Sequence, residues 1–326
     1  MNTENKILNL FEQNSEWTVQ ELSENISVSK QMIHKVLKKL IDQKEIEKFG
    51  SAPKTFYRKL FTEKIETLKF DISEEDEKFL KKEFLLISET GKYLEGIDGF
   101  ANWCKKRNLP IEKTVKEFIL TKEKYTKFVD EKGFIDGTEK LKSTKGFDEI
   151  YLKNLYYLDF YAIERFGKTK LGTILHYAKQ GQNKFLMQIL MQEIAKPIQD
   201  FIQNSNIQAV GFVPPTIKRE TQLMKFIENS VKTNLPILQI KKMSGIIPVP
   251  QKSLNKLEER INNADTTFGV FGNTNYETVL LIDDAVGSGA TINQIAKKLI
   301  DKNVAKNVIG LAIVGSYKGF EVITDV

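Results

Sequence analysis

One cysteine, Cys104, and two histidines, His34 and His176, are all that the 326-residue chain has of those residue types. A lone thiol excludes an internal disulfide framework and a cysteine-rich metal site. Two histidines so far apart argue against a histidine zinc site or a histidine-based triad. Arginine is scarce as well: Arg58, Arg107, Arg165, Arg219 and Arg260 are the five, and lysine carries the remaining positive charge. No run of eighteen apolar residues occurs, so no membrane span is expected. The opening MNTENKILNLFEQ is amphipathic and acidic, unlike a signal peptide, and a cytoplasmic location is expected. What is present is ordinary for a globular protein, 41% hydrophobic and 28% charged, and the length suits two or three domains. A net charge of +6 says little by its sum. Its placement says more.

The first sixty residues carry three apolar stripes at helical spacing. Ile7, Leu8, Leu10 and Phe11 make the first. Thr18 with Glu21 is a capping box for a short second helix ending near Asn25. Ser29 opens a third, with Ile33, Val36, Leu37, Leu40 and Ile41 on its buried face. EIEKF, a GSAP turn and KTFYRK then alternate as a hairpin. Residues 1–27 hold one lysine and five glutamates, whereas residues 28–59 hold nine basic residues and three acids. The positive charge thus gathers on the third helix and hairpin, where Lys35, Lys38, Lys54 and Arg58 could meet phosphates. Ser29, Lys30, Gln31 and His34, near the start of that helix, are placed to reach base edges. Over about fifty-five residues this order resembles the winged helix-turn-helix domains of bacterial transcription regulators, which implies DNA as a partner.

Residues 61–154 read as charge-rich helices, a connector or dimerisation segment, so a homo-oligomer is expected. Ser73 caps one helix, and Pro110 suits the start of another. Trp103 and Cys104 are core residues in this reading, and no constellation for chemistry stands out. From about residue 155 short apolar runs alternate with helical stretches. IQAVGFV (207–213), LPILQI (235–240), TVLLI (278–282) and NVIGLAIVG (307–315) read as buried parallel strands of an α/β domain over 155–326.

One strand runs straight into two acids and a glycine-flanked turn: VLLIDDAVGSGATI. In an open α/β sheet ligands bind beyond the carboxyl ends of strands, so Asp283 and Asp284 are expected at a solvent-facing end. A P-loop needs a lysine that AVGSGATI lacks. A dinucleotide loop needs a third glycine where Ile292 stands. Neither explains the aspartates. A sugar-phosphate site does: backbone N–H groups of Val286, Gly287, Ser288, Gly289, Ala290 and Thr291 wrap a phosphate at a helix N-terminus, and the hydroxyls of Ser288 and Thr291 add donors. The acid pair, one ribose-width upstream, accepts hydrogen bonds from the sugar hydroxyls.

That stretch resembles the diphosphate-sugar signature of type I phosphoribosyltransferases, with Gly287-Ser288 in place of two threonines. PVPQKSLNKLEERINNADTTFGV (248–270), GFVPPTIKRETQ (211–222) and YAIERFGKTKLGTILHYAKQGQNKF (161–185) resemble segments of the ComF-like, amidophosphoribosyltransferase-related branch. The resemblance implies a Rossmann-like parallel sheet that binds phosphoribosyl pyrophosphate with Mg²⁺. It implies catalytic roles for Asp283 and Asp284 at the ribose, and a pyrophosphate loop of Pro214, Pro215 and Thr216 with Lys218 or Arg219. Lys252 and Arg260 fall on its mobile hood. No residue is assigned to a metal directly. Winged helix and ribosyl site together suggest a DNA-associated regulator that responds to phosphoribosyl pyrophosphate or a nucleotide. The alternative is an active transferase or nucleotide-consuming effector controlled through its winged helix.

Overall fold

Apolar spacing builds the first unit, residues 1–69. The computed structural model describes residues 3–13, 17–43, 45–51, 54–59, 70–217, 219–243 and 256–318. Helices α1 (Thr3–Gln13), α2 (Val19–Ile26) and α3 (Lys30–Asp42) precede the antiparallel pair β1 (Ile46–Ser51) and β2 (Lys54–Lys59). Thr18 Oγ1 accepts from Glu21 N at 3.2 Å while Glu21 Oε2 accepts from Thr18 N at 2.7 Å, the reciprocal cap that starts α2. Ile7, Phe11, Leu22, Ile33, Leu37, Leu40, Ile46 and Tyr57 close a core of their own. Trp17 and Tyr57 exchange backbone hydrogen bonds of 2.9 and 2.8 Å, tying the chain before α2 to β2.

The second unit spans residues 70–326. It opens with α4 (Glu74–Glu83), β3 (Leu85–Ile87), β4 (Tyr93–Glu95), α5 (Gly96–Lys105), α6 (Ile111–Thr126), β5 (Ile135–Asp136) and α7 (Thr138–Ser143). Next come β6 (Asn154–Phe160), β7 (Ala162–Ile163), β8 (Gly167–Lys168), α8 (Lys170–Gln180), α9 (Lys184–Asn204), β9 (Ala209–Phe212), α10 (Leu223–Ser230) and β10 (Gln239–Lys242). It ends with α11 (Leu257–Thr267), β11 (Phe268–Phe271), β12 (Tyr276–Val286), α12 (Ala290–Asp301) and β13 (Ala305–Gly315). The central sheet runs β5-β6-β13-β12-β9. Its last four strands are mutually parallel, and β5 joins the edge antiparallel.

Strand alternation divides the core in two. Val279 and Leu281 pack with Ile292, Ile295 and Leu299 of α12 on one face, whereas Leu280 and Ile282 pack with α8 and α9 on the other. Both faces are covered, so residues 279–282 of β12 form a continuous apolar run rather than an alternating one. Leu80, Phe100, Trp103, Cys104 and Phe118 belong to the same cluster as Val279 and Leu281. Residues on both sides of position 154 therefore share one core, and the change in pattern near 155 does not mark its edge. The segment before it is mainly helical but also contributes β3, β4 and β5.

One strand expectation is corrected, and one strand is added. Residues 235–240 do not form a full strand of the parallel sheet. Ile237 makes an isolated parallel bridge to Val210, and Gln239–Lys242 then pairs antiparallel with β11, alternating exposed and half-buried residues. The central strand β6, NLYYLDF, was not expected. It alternates buried and half-buried residues, and its parallel partner β13 lies about 150 residues on.

Candidate functional site

The carboxyl ends of β9, β12 and β13 open onto a cleft of about 610 Å³. Its walls bring together Pro214, Pro215 and Thr216 after β9, Asp283 and Asp284 on β12, the turn 286–291, and Arg260 on α11. Gly289 sits at φ +84° as the N-cap of α12, a left-handed conformation that glycine adopts without strain. The turn therefore swings directly into the helix, whose first N–H groups have no partner within the helix and face a ligand with the positive end of its dipole. Ser288 Oγ accepts from Ala290 N at 3.4 Å. Around Gly287 a Cβ would meet nothing within 4 Å. Below, Asn293 fixes the helix by accepting from Tyr151 N at 2.8 Å and donating to the Glu149 carbonyl at 3.0 Å.

The acid pair is more enclosed than a solvent-facing strand end. Asp283 is 9% and Asp284 6% exposed, because β12 runs two residues past them to Val286 and stays paired with β13 as far as Gly315. Asp283 Oδ1 accepts from Asp284 N at 2.8 Å. Burial, followed by the neighbouring Asp284 carboxylate, pushes Asp283 up to about 7, against the pull of Lys179 and that backbone N–H. Asp284 pairs with the ammonium of Lys179 from the last turn of α8.

A second lysine holds the turn from behind. Buried Lys140, on α7, donates to the Gly287 carbonyl at 2.9 Å and to the Ser316 carbonyl at 3.0 Å. Burial lowers its ammonium to about 8. Neither lysine has a local sequence signal, since Lys179 reaches Asp284 across 105 residues and Lys140 reaches Gly287 across 147. Tyr161 and Tyr317, just beyond β6 and β13, also line the cleft.

Among the other expected ligand contacts, Arg219 is half-buried and donates to Gln180 Oε1 at 3.0 Å, and it is not among the cleft residues. Lys218 and Lys252 lie outside the described residues. Among the described residues no group of three or more His, Cys, Asp or Glu side chains could hold a metal ion. Asp284 is already paired with the Lys179 ammonium, so the two aspartates do not make a Mg²⁺ site built from protein side chains alone.

In the first unit, Lys30, Gln31, His34, Lys35 and Lys38 are exposed on α3, opposite buried Ile33, Leu37 and Leu40. Ser29 is the N-cap of that helix, and its Oγ accepts from Met32 N at 3.4 Å. Lys54 and Arg58 lie on β2 opposite Ser51 and Glu47. No described helix is long and apolar enough to cross a membrane.

No family model matches the chain, and no curated protein matches it. Among solved structures it is similar to a hypoxanthine phosphoribosyltransferase from Staphylococcus aureus. The identity is 14% and the TM-score 0.24, over 43% of this chain and 67% of that one. A likeness that slight carries no functional weight. The mixed α/β architecture with a mainly parallel central sheet stands on the strand pairing itself.

Proposed function

We propose that the cleft binds a 5-phosphorylated ribose, as phosphoribosyl pyrophosphate or a nucleotide, and that the chain is a DNA-associated regulator responding to that ligand. The observation that carries this reading is the meeting, in one cleft, of the acid pair on β12 with the glycine turn that starts α12. The turn offers backbone N–H groups to a phosphate. The two carboxyl groups stand upstream along the same strand, where they accept hydrogen bonds from ribose hydroxyls. Pro214 to Thr216 line the same cleft, and this reading assigns them to a pyrophosphate at C1′. Mg²⁺ enters this reading only as an ion carried on the ligand's own pyrophosphate oxygens.

For the first unit, three helices and a hairpin with an exposed basic face on α3 support a winged helix that binds DNA through phosphate contacts. A second reading, an active phosphoribosyltransferase, is favoured by Arg260 on the cleft wall. A guanidinium there can take up charge as the C1′–O bond breaks and an acceptor nucleophile bonds to C1′, with pyrophosphate leaving. Calorimetry of the full chain with phosphoribosyl pyrophosphate, with pyrophosphate release followed in parallel, separates the two. Binding without release supports the regulator. Release supports the transferase. No heat and no release would remove both.

A further inference from the structure

Two aspartates at the ribose end pose an electrostatic problem for any phosphorylated ligand. A phosphate monoester arrives with nearly two negative charges, and at the low effective dielectric of a cleft it is repelled by carboxylates unless a cation stands between. A divalent ion shared between a carboxylate and the ligand's own oxygens is one solution. Lys179 is another. Its ammonium pairs with Asp284, both residues line the cleft, and the lysine side chain is 22% exposed against 8% for the carboxylate. The same charge also favours the ionised form of Asp283.

The helix end that carries Lys179 is fastened by its neighbours. Gln180 Oε1 accepts from Arg219 Nη2 at 3.0 Å, and Gln182 Oε1 accepts from Thr221 N at 2.8 Å. The end of α8 is thereby tied to the segment that follows Pro214–Thr216. A long flexible lysine would lose much of its charge effect if it wandered. The pair with Asp284 holds this one at the cleft.

We propose that Lys179 is the built-in counter-cation of the acid pair, which lets the cleft take a ribose 5-phosphate monoester without a divalent cation. The inference rests on the ribose-phosphate reading of the cleft and adds which charge state the cleft presents and which ligands need a metal. Monoesters bind metal-free, while the pyrophosphate-bearing form brings its own ion.

The test is calorimetry of the full chain with ribose 5-phosphate, in EDTA and in Mg²⁺. Wild-type affinity is expected to be the same in both. Lys179→Met, which keeps the apolar stem, is expected to lose about tenfold or more in EDTA and to regain most of it in Mg²⁺. Lys179→Arg keeps the charge and should keep metal-free binding, which distinguishes lost charge from a disturbed fold. Wild-type binding that requires Mg²⁺, or a Lys179→Met variant that binds as well as wild type in EDTA, overturns the role of Lys179 while leaving the ribose-phosphate site standing. Absence of wild-type binding in either buffer overturns the site and the inference together.

Discussion

The outer face of α3 and the turn before α12 are both proposed to meet phosphate, and they are built in different ways. On α3 the polar residues Lys30, Gln31, His34, Lys35 and Lys38 stand exposed, above a buried row of Ile33, Leu37 and Leu40. At the turn the cations are set back: Lys140 is buried behind the loop carbonyls, and Lys179 is spoken for by Asp284. A solvated lysine face attracts charge without fixing a shape, so it suits a long polyanion met at many registers and weakens with salt. A buried acid pair flanked by held lysines fixes distance and orientation, so it suits one small ligand. If that contrast is right, substitutions in the cleft should act on affinity in large steps, and substitutions on α3 should act mainly on salt dependence.

The largest effect is expected from Asp283→Asn combined with Asp284→Asn. Replacing both carboxylates by neutral amides should weaken phosphoribosyl pyrophosphate binding by about 100-fold or more, as two charge-assisted hydrogen bonds become neutral ones. Circular dichroism reports whether the fold survives. Unchanged affinity in a folded variant would erase the contrast from the cleft side.

Next comes the pH dependence of stability. Asp283 is raised from 3.8 to about 7, so between those values the folded chain keeps a proton that the unfolded chain has released. Its contribution is full below pH 3.8 and is lost progressively as pH rises to about 7, by roughly 4 kcal/mol at about 1.36 kcal/mol per pKa unit. Urea unfolding of Asp283→Asn should lack that part of the slope. An identical slope in the variant would mean that Asp283 is not the group concerned.

On the other side of the comparison, Lys35→Ala with Lys38→Ala should lower the log–log salt slope of DNA binding by roughly one to two units. Filter binding across a salt series measures it, and no change would make those lysines a solvated surface only. The smallest effect is reserved for Gly287→Thr. The space beside Gly287 is open, so a threonine fits and places a hydroxyl at the turn. A gain of about three- to tenfold in ribose 5-phosphate affinity is expected, the worth of one further hydrogen bond. A loss would show that the turn uses the empty space for something other than phosphate.

The parts of the chain legible in the sequence are those whose cause is local. The caps at Thr18, Ser29 and Ser73 depend on a residue three positions away. The path from β12 through Gly289 into α12 is one continuous run, and its glycine is required by backbone conformation alone. What the sequence hid depends on distant partners. β6 is a central strand only because β13 lies beside it, and Asp159 interrupts its apolar pattern. Residues 235–240 have the composition of a buried strand, yet only one of them bridges β9 before the chain turns to β11. The enclosure of Asp283 and Asp284 follows from how far β12 stays paired with β13. Lys140 and Lys179 could not be picked from among the chain's many lysines without the packing that delivers them.

The most direct test of the account is a crystal structure of the full chain with ribose 5-phosphate. The account predicts the phosphate seated on the backbone of Gly287 to Thr291, with sugar hydroxyls donating to Asp283 and Asp284. A ligand bound elsewhere, or one placed in the cleft with its phosphate away from that turn, would contradict it.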